Sequence, residues 1–208
     1  MKKPSSTPLL ILFFLISLSF TPSLAATKPS TTTTTTTFIK RCCTTTSYPK
    51  LCYATLYKYA AQIQNNPKRL ATKSLAVALI EAKSAALTTS RLSRVRGLKP
   101  KVRAALSDCT MAVENSAAQL QRSMLELGKA PIWTQMEESD VQTWTSTALT
   151  YAETCREAFD GNDMNGSVKN MVQHKIGKLS QMTSNALALV KRYYVSAAMK
   201  SHHHNNHP

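Results

Sequence analysis

The sequence predicts an all-α protein: an antiparallel up-down-up-down four-helix bundle preceded by a short N-terminal helical hairpin. Three observations predict it. Aromatic residues are only 7% of the 208, and there are five glycines, too little material for an antiparallel sheet with many tight turns. Alanine, leucine, lysine and serine are abundant instead, a composition that suits helices. Between two polar tails, apolar residues recur at steps of three and four, the spacing of a helix face. With 43% hydrophobic residues there is enough for a core, and no fixed repeat runs through the chain. Whole-chain disorder, collagen and a coiled-coil rod are thereby excluded, and the length fits one domain.

The chain begins with a processing segment. Lys2 and Lys3 supply a positive n-region, residues 9–20 an apolar run and Ser23-Leu24-Ala25 a small-x-small cleavage site, so residues 1–25 read as a secretory signal peptide. The run falls short of the about 20 apolar residues that cross a bilayer, and Thr21-Pro22 follow it at once. Residues 26–37 read as a Thr-rich flexible arm, because the threonine tract 31–37 has nothing to bury and suits O-glycosylation. The folded domain is expected over 38–195, as a hairpin at 38–65 and a bundle at 66–195. In the hairpin, Tyr48-Pro49 opens a helix whose Cys52, Leu56, Tyr59 and Ile63 share a face; it is too short to stand alone and so docks on the bundle.

Each bundle helix has its own boundary chemistry. Asn66-Pro67 is an N-cap followed by proline at the first helical position, opening a helix to about 95 with Leu70, Val77, Ile80 and Leu87 on one side. Gly97 ends it. Pro100 starts a helix to about 127 with the stripe Val102, Leu106, Cys109, Val113, Leu120, Met124 and Leu127. Ser139 with Gln142 forms a capping box for a helix to about 159 that buries Trp144, Ala148, Cys155 and Phe159. A last helix from about 167 to 194 buries Val168, Val172, Ile176, Leu179, Leu187 and Val190. Four such stripes need four facing stripes, which a bundle supplies. Residues 196–208 read as a frayed His-rich tail with His202, His203, His204 and His207, able to gain charge in an acidic compartment.

All five cysteines, Cys42, Cys43, Cys52, Cys109 and Cys155, follow the leader, so oxidation is expected. If helices 100–127 and 140–159 pack antiparallel about a turn near residue 133, Cys109 and Cys155 face each other within one helical turn, each on its apolar stripe. A disulfide there would stabilise by about 4 kcal/mol in the chain-entropy picture. Cys52 then has Cys43 or Cys42 as its local partner, and one thiol remains, either buried or available for intermolecular pairing.

Nothing assembles a catalytic centre. His174 is the only histidine inside the predicted fold, no Gly-rich phosphate loop is present, and no Cys/His or Asp/Glu cluster has metal spacing, so neither cofactor nor metal is expected. Asp160 and Asp163 lack the rest of a calcium loop. Asn165-Gly166-Ser167 is a glycosylation sequon. One surface pattern stands out: Thr143, Thr147, Thr150 and Thr154 form a column on one helix face, with Glu157 next along it. Short hydroxylated side chains give a flat face with donors and acceptors at little entropic cost, suited to docking a protein, although small residues also serve close helix packing.

Three motifs carry a resemblance: Cys43-x2-Thr46-x-Tyr48-Pro49-x2-Cys52, Asp108-Cys109, and Val141-x2-Trp144-x-Ser146-x-Ala148-Leu149-Thr150-x3-Thr154-Cys155-x3-Phe159. The chain resembles the plant invertase inhibitor/pectin methylesterase inhibitor family over about residues 38–195. The resemblance implies a secreted four-helix inhibitor domain with disulfides Cys43–Cys52 and Cys109–Cys155, which leaves Cys42 as the extra thiol. It implies a stoichiometric 1:1 inhibitor, not an enzyme, in the apoplast and cell wall or alternatively the vacuole. In the pectin methylesterase branch, helices cover the enzyme's pectin-binding cleft through the residue before the fourth family cysteine and an acidic residue just after it, here Thr154 and Glu157. Asn115 stands where that branch carries an Asp. Some invertase inhibitors carry a Pro-Lys-Phe element where this chain has Pro131-Ile132-Trp133; without the lysine there is no cation to pair with catalytic carboxylates, which favours the pectin methylesterase branch.

Two other functions remain in view: inhibition of cell-wall or vacuolar invertase, and binding of anionic pectin itself. The second rests on charge. Lys+Arg are 26 against 11 Asp+Glu, and removing Lys2 and Lys3 takes the formal charge from +15 to +13. Arg91, Arg94, Arg96, Lys99, Lys101 and Arg103 gather around one predicted turn, either as a solvated basic loop or as a surface for a polyanion. Nucleic acid would suit the charge, but the secretory leader removes the chain from it. A basic esterase would repel so basic an inhibitor, which favours neutral or acidic targets.

Overall fold

The structure is a computed structural model and describes residues 31–129, 134–161, 164 and 166–205. Among them every regular element is helical: α1 (Thr31–Cys43), α2 (Pro49–Leu56), a 3-10 turn (Tyr57–Tyr59), α3 (Ala60–Ile63), α4 (Pro67–Ser93), α5 (Pro100–Lys129), α6 (Gln135–Glu157) and α7 (Ser167–Asn205). No helix among them is long and apolar enough to cross a membrane.

The hairpin begins earlier than the sequence suggests. The threonine tract, expected as an arm outside the fold, is the first half of α1. Thr35 lies one turn before Ile39 on the face that continues to Cys42 and Cys43, and all four are buried. α1 ends in a chain of hydroxyl caps: Thr44, Thr45 and Thr46 donate to the carbonyls of Arg41, Cys42 and Cys43 at 2.8, 2.9 and 2.8 Å. These bonds satisfy carbonyls that the helix end would otherwise leave open. Cys43 and Cys52 then join α1 to α2. Asn185 of α7 accepts from the Tyr48 N–H and donates to the Tyr48 carbonyl, each at 3.0 Å, and the Lys73 ammonium of α4 stands 4.7 Å from the Tyr59 ring centre.

In the bundle each long helix packs against two others, α5 on α4 and α6, α7 on α4 and α6. Hydrogen bonds show the directions. Ser116 donates to the Ala148 carbonyl at 2.8 Å and Thr145 to Ser123 at 3.1 Å, so α5 and α6 run oppositely. Gln173 meets Arg156 while Tyr194 meets Glu137, so α6 and α7 do too. Thr110 donates to Thr89 at 2.8 Å, and Arg103 reaches the Ser93 carbonyl at 2.8 Å, which makes α4 and α5 antiparallel. The Cys109–Cys155 disulfide bridges α5 and α6 with Cα atoms 4.5 Å apart. Cys42 is the free thiol and is buried.

The buried stripe of α5 follows its sequence pattern, but α4 does not. Leu70, Leu75, Ala78, Ala82 and Ala85 are fully or almost fully buried, whereas Ile80 and Leu87 are 62% and 59% exposed. The inward face of α4 is built of small residues that let neighbours approach, and selecting by bulk turns the helix the wrong way. α6 starts a turn before the expected Ser139 cap. Its N-cap is Thr134, whose hydroxyl accepts from the Glu137 N–H at 3.1 Å, and Phe159 is buried just beyond its last turn. α7 continues without a break through the expected 196–208 tail as far as Asn205.

Candidate protein-docking surface

α6 is held along its inner side by Cys155, Ala148, Thr145 and Val141, all buried against the bundle. That anchorage turns Thr143, Thr150, Thr154 and Glu157 outward, where they are exposed, with Thr147 half-buried beside them. Three of the four hydroxyls of the column are not free donors. Thr147 donates to the Thr143 carbonyl at 2.9 Å, Thr150 to the Ser146 carbonyl at 3.3 Å and Thr154 to the Thr150 carbonyl at 3.0 Å. At Thr147, Thr150 and Thr154 the hydroxyl proton is therefore already committed to the helix, which leaves a methyl group and an acceptor oxygen for a partner.

Between α6 and α7 the column borders a shallow groove of about 370 Å³ lined by Gln142, Thr143, Ser146, Thr147, Thr150, Leu187 and Lys191. Ser146, Gln142 and Lys191 are part of this face, although the sequence pattern assigns none of them to a docking surface. Ser146 follows Thr143 by three and precedes Thr150 by four, so a pattern of all hydroxylated residues would have found it. Asn115 is exposed on α5. Its neighbour Ser116 bonds the Ala148 carbonyl, which sets Asn115 across the α5–α6 seam at the level of the middle of the column. At the far end, Arg156 pairs with Glu153 at 2.8 Å, and Glu157 remains exposed beside them.

Two buried carboxylates stiffen the scaffold behind this face. Glu81 of α4 lies between Lys175 and Lys178 of α7, with Nζ atoms 2.8 and 2.9 Å from its two oxygens. Burial alone would raise its pKa, but the hydrogen bonds and charges of the two lysines together outweigh burial and hold it below the usual carboxylate value. Glu137 goes the other way: burial raises it above the ordinary value, against the opposing effects of Lys68 and the Tyr194 hydroxyl. Burial, with the Glu137 charge nearby, pushes the Tyr194 phenol up in turn.

Among the described residues no group of His, Cys, Asp and Glu is placed to hold a metal. A larger apolar groove of about 640 Å³ between α1 and α7 includes Phe38, Cys42, Leu189 and Met199, with no convergent set of catalytic side chains. Residues 1–25, Pro131-Ile132-Trp133, Asp163 and the sequon residue Asn165 lie outside the described residues, as do the side chains of the histidine cluster.

Comparison with known proteins assigns the chain. The family model for plant invertase/pectin methylesterase inhibitors matches residues 37–189. Pectinesterase inhibitor 11 of Arabidopsis thaliana is 39% identical over 155 residues, covering 71% of this chain and 76% of that protein. Pectinesterase inhibitor 9 of the same plant is 36% identical over 162 residues, covering 74% and 79%. A 21 kDa protein of Daucus carota is 39% identical over 153 residues, covering 71% and 79%. The crystal structure of a mutant form of a pectin methylesterase inhibitor from Arabidopsis superposes with a TM-score of 0.59 over 72% of this chain and 92% of that one, at 19% identity, and so shares the fold. The matched residues contain both cysteine pairs and the whole threonine column, and the chain belongs to the plant invertase/pectin methylesterase inhibitor family.

Proposed function

We propose that the chain is a secreted inhibitor that binds a pectin methylesterase in a 1:1 complex, lays the outward face of α6 over the pectin-binding cleft and so modulates de-esterification of cell-wall pectin. As a member of a family of inhibitors, it is not itself an enzyme. The observation that carries the reading is the exposure of Thr154 and Glu157 beside the buried Cys155 disulfide, in a chain whose relatives bear the name pectinesterase inhibitor. Occlusion needs shape and a low ordering cost rather than a reactive group. Threonines already bonded to their own helix have little rotamer freedom left to lose on docking. Secretion rests on the leader-like residues 1–25, and the 1:1 ratio on a single continuous face.

Titrating the purified mature chain against a pectin methylesterase and, separately, an acid invertase tests this directly. Loss of esterase activity that reaches its plateau at one equivalent, with invertase unaffected, is the expected outcome. Inhibition of invertase alone would transfer the face to the other target class of the family.

A further inference from the structure

We propose that the turn joining α4 and α5 is a second binding surface, separate from the α6 face, that takes a polycarboxylate polysaccharide. Between Glu81 and Asp108 the chain has no acidic residue. Arg91, Arg94, Arg96, Lys99, Lys101 and Arg103 all lie in this stretch, and all are exposed. The turn is built rather than loose. Arg103 donates to the Ser93 and Val95 carbonyls at 2.8 and 3.4 Å, closing the end of α4, and Gly97 takes the left-handed φ of 79° that reverses the chain. Arg103 and Arg94, whose guanidinium reaches the Ser90 hydroxyl at 3.4 Å, shape the surface. Arg91, Arg96 and Lys99 stand on it, with no carboxylate among the described residues within ion-pair distance of them.

Fixed cations without local counter-charges attract a chain of anions. Nucleic acid fits less well, since single strands are gripped by aromatic stacking and this stretch contains no Phe, Tyr or Trp. Ester hydrolysis by a pectin methylesterase leaves a carboxylate on each sugar it has processed. De-esterified pectin is thus a polymer of the required chemistry, and it accumulates where the enzyme works. This choice of polymer rests on the target proposed above, whereas binding itself is measured with no enzyme present, so either can fail alone. Held to its enzyme's product, the inhibitor would concentrate where de-esterification has advanced, with Thr154 and Glu157 of α6 left for the enzyme.

The test is retention of the mature chain on immobilised polygalacturonate, on fully methyl-esterified pectin and on DNA, across a salt series. Retention on polygalacturonate that falls with salt, and little on the esterified polymer, is expected. The triple variant R91Q/R96Q/K99Q should weaken it by about tenfold or more. The variant K40Q/K50Q/R122Q, which removes equal charge from exposed positions elsewhere, should bind nearly as the parent does. Equal weakening by both variants, salt-insensitive retention, or retention on DNA with none on polygalacturonate would overturn the proposal.

Discussion

Asn185 and Tyr48, separated by 137 positions, exchange two hydrogen bonds of 3.0 Å that join α7 to the chain entering α2. The amide satisfies both backbone groups of one residue, with Asn185 itself only 4% exposed. Replacing Asn185 by Ala removes both bonds and should cost about 1–3 kcal/mol in urea denaturation. Asn185→Asp keeps an acceptor for the N–H but opposes the carbonyl with a charge, so it should rescue little.

The two disulfides should differ in worth. Cys109–Cys155 spans 46 positions and Cys43–Cys52 spans 9. In the chain-entropy picture, replacing the first pair by serine should cost about 4 kcal/mol and the second about 2.5 kcal/mol. Thermal unfolding of the two double variants checks the order.

Glu81 should make the fold acid-sensitive. Its folded pKa lies below its unfolded one, so its contribution is present above the unfolded pKa and is lost as pH falls through the folded pKa. Glu81→Gln should cost about 2 kcal/mol at pH 7, less than breaking a fully buried pair because Lys178 is partly exposed, and much less near pH 3. Denaturation of parent and variant at both pH values measures the difference.

Glu137 should show the opposite slope. Its raised folded pKa contributes stability below the unfolded pKa that disappears as pH rises through the folded pKa. Glu137→Gln keeps an acceptor for the Tyr194 hydroxyl without a buried charge. It should therefore gain stability relative to the parent at pH 7 and lose that advantage near pH 4, read from the same denaturation series.

On the docking face, Thr154→Arg should weaken inhibition of a pectin methylesterase by about a hundredfold, the scale at which a misplaced charge in an interface acts. Circular dichroism should be unchanged, because Thr154 is exposed. Thr150→Val, which keeps the outward methyl and loses only a hydroxyl bonded to its own helix, should have a much smaller effect.

The α5 helix and the Cys109–Cys155 bridge were legible in the sequence because bulky residues at helical steps and two cysteines at matched distances from one turn leave a single arrangement. α4 was less legible. Ala71, Ala78, Ala82 and Ala85 carry little hydrophobic signal yet form its buried face, while Ile80 and Leu87 carry much and point out. Thr35 is covered only because Ile39 and Cys42 continue its face. Asn185 meets Tyr48 across 137 positions and Lys178 meets Glu81 across 97, distances at which no local pattern speaks. The threonine column was visible as a period, but the fate of its hydroxyl protons depends on carbonyls that sequence does not orient.

Across the α5–α6 seam run a serine hydroxyl on a carbonyl, a threonine hydroxyl on a serine and a disulfide. A covalent bridge and two hydrogen bonds along one seam fix the register of the two helices. On the docking face proposed above, Asn115 of α5 would be presented to a bound enzyme in a constant register with the threonine column of α6. Selection could then redraw either surface residue by residue, to suit a new target, without disturbing the spacing at which the other is presented.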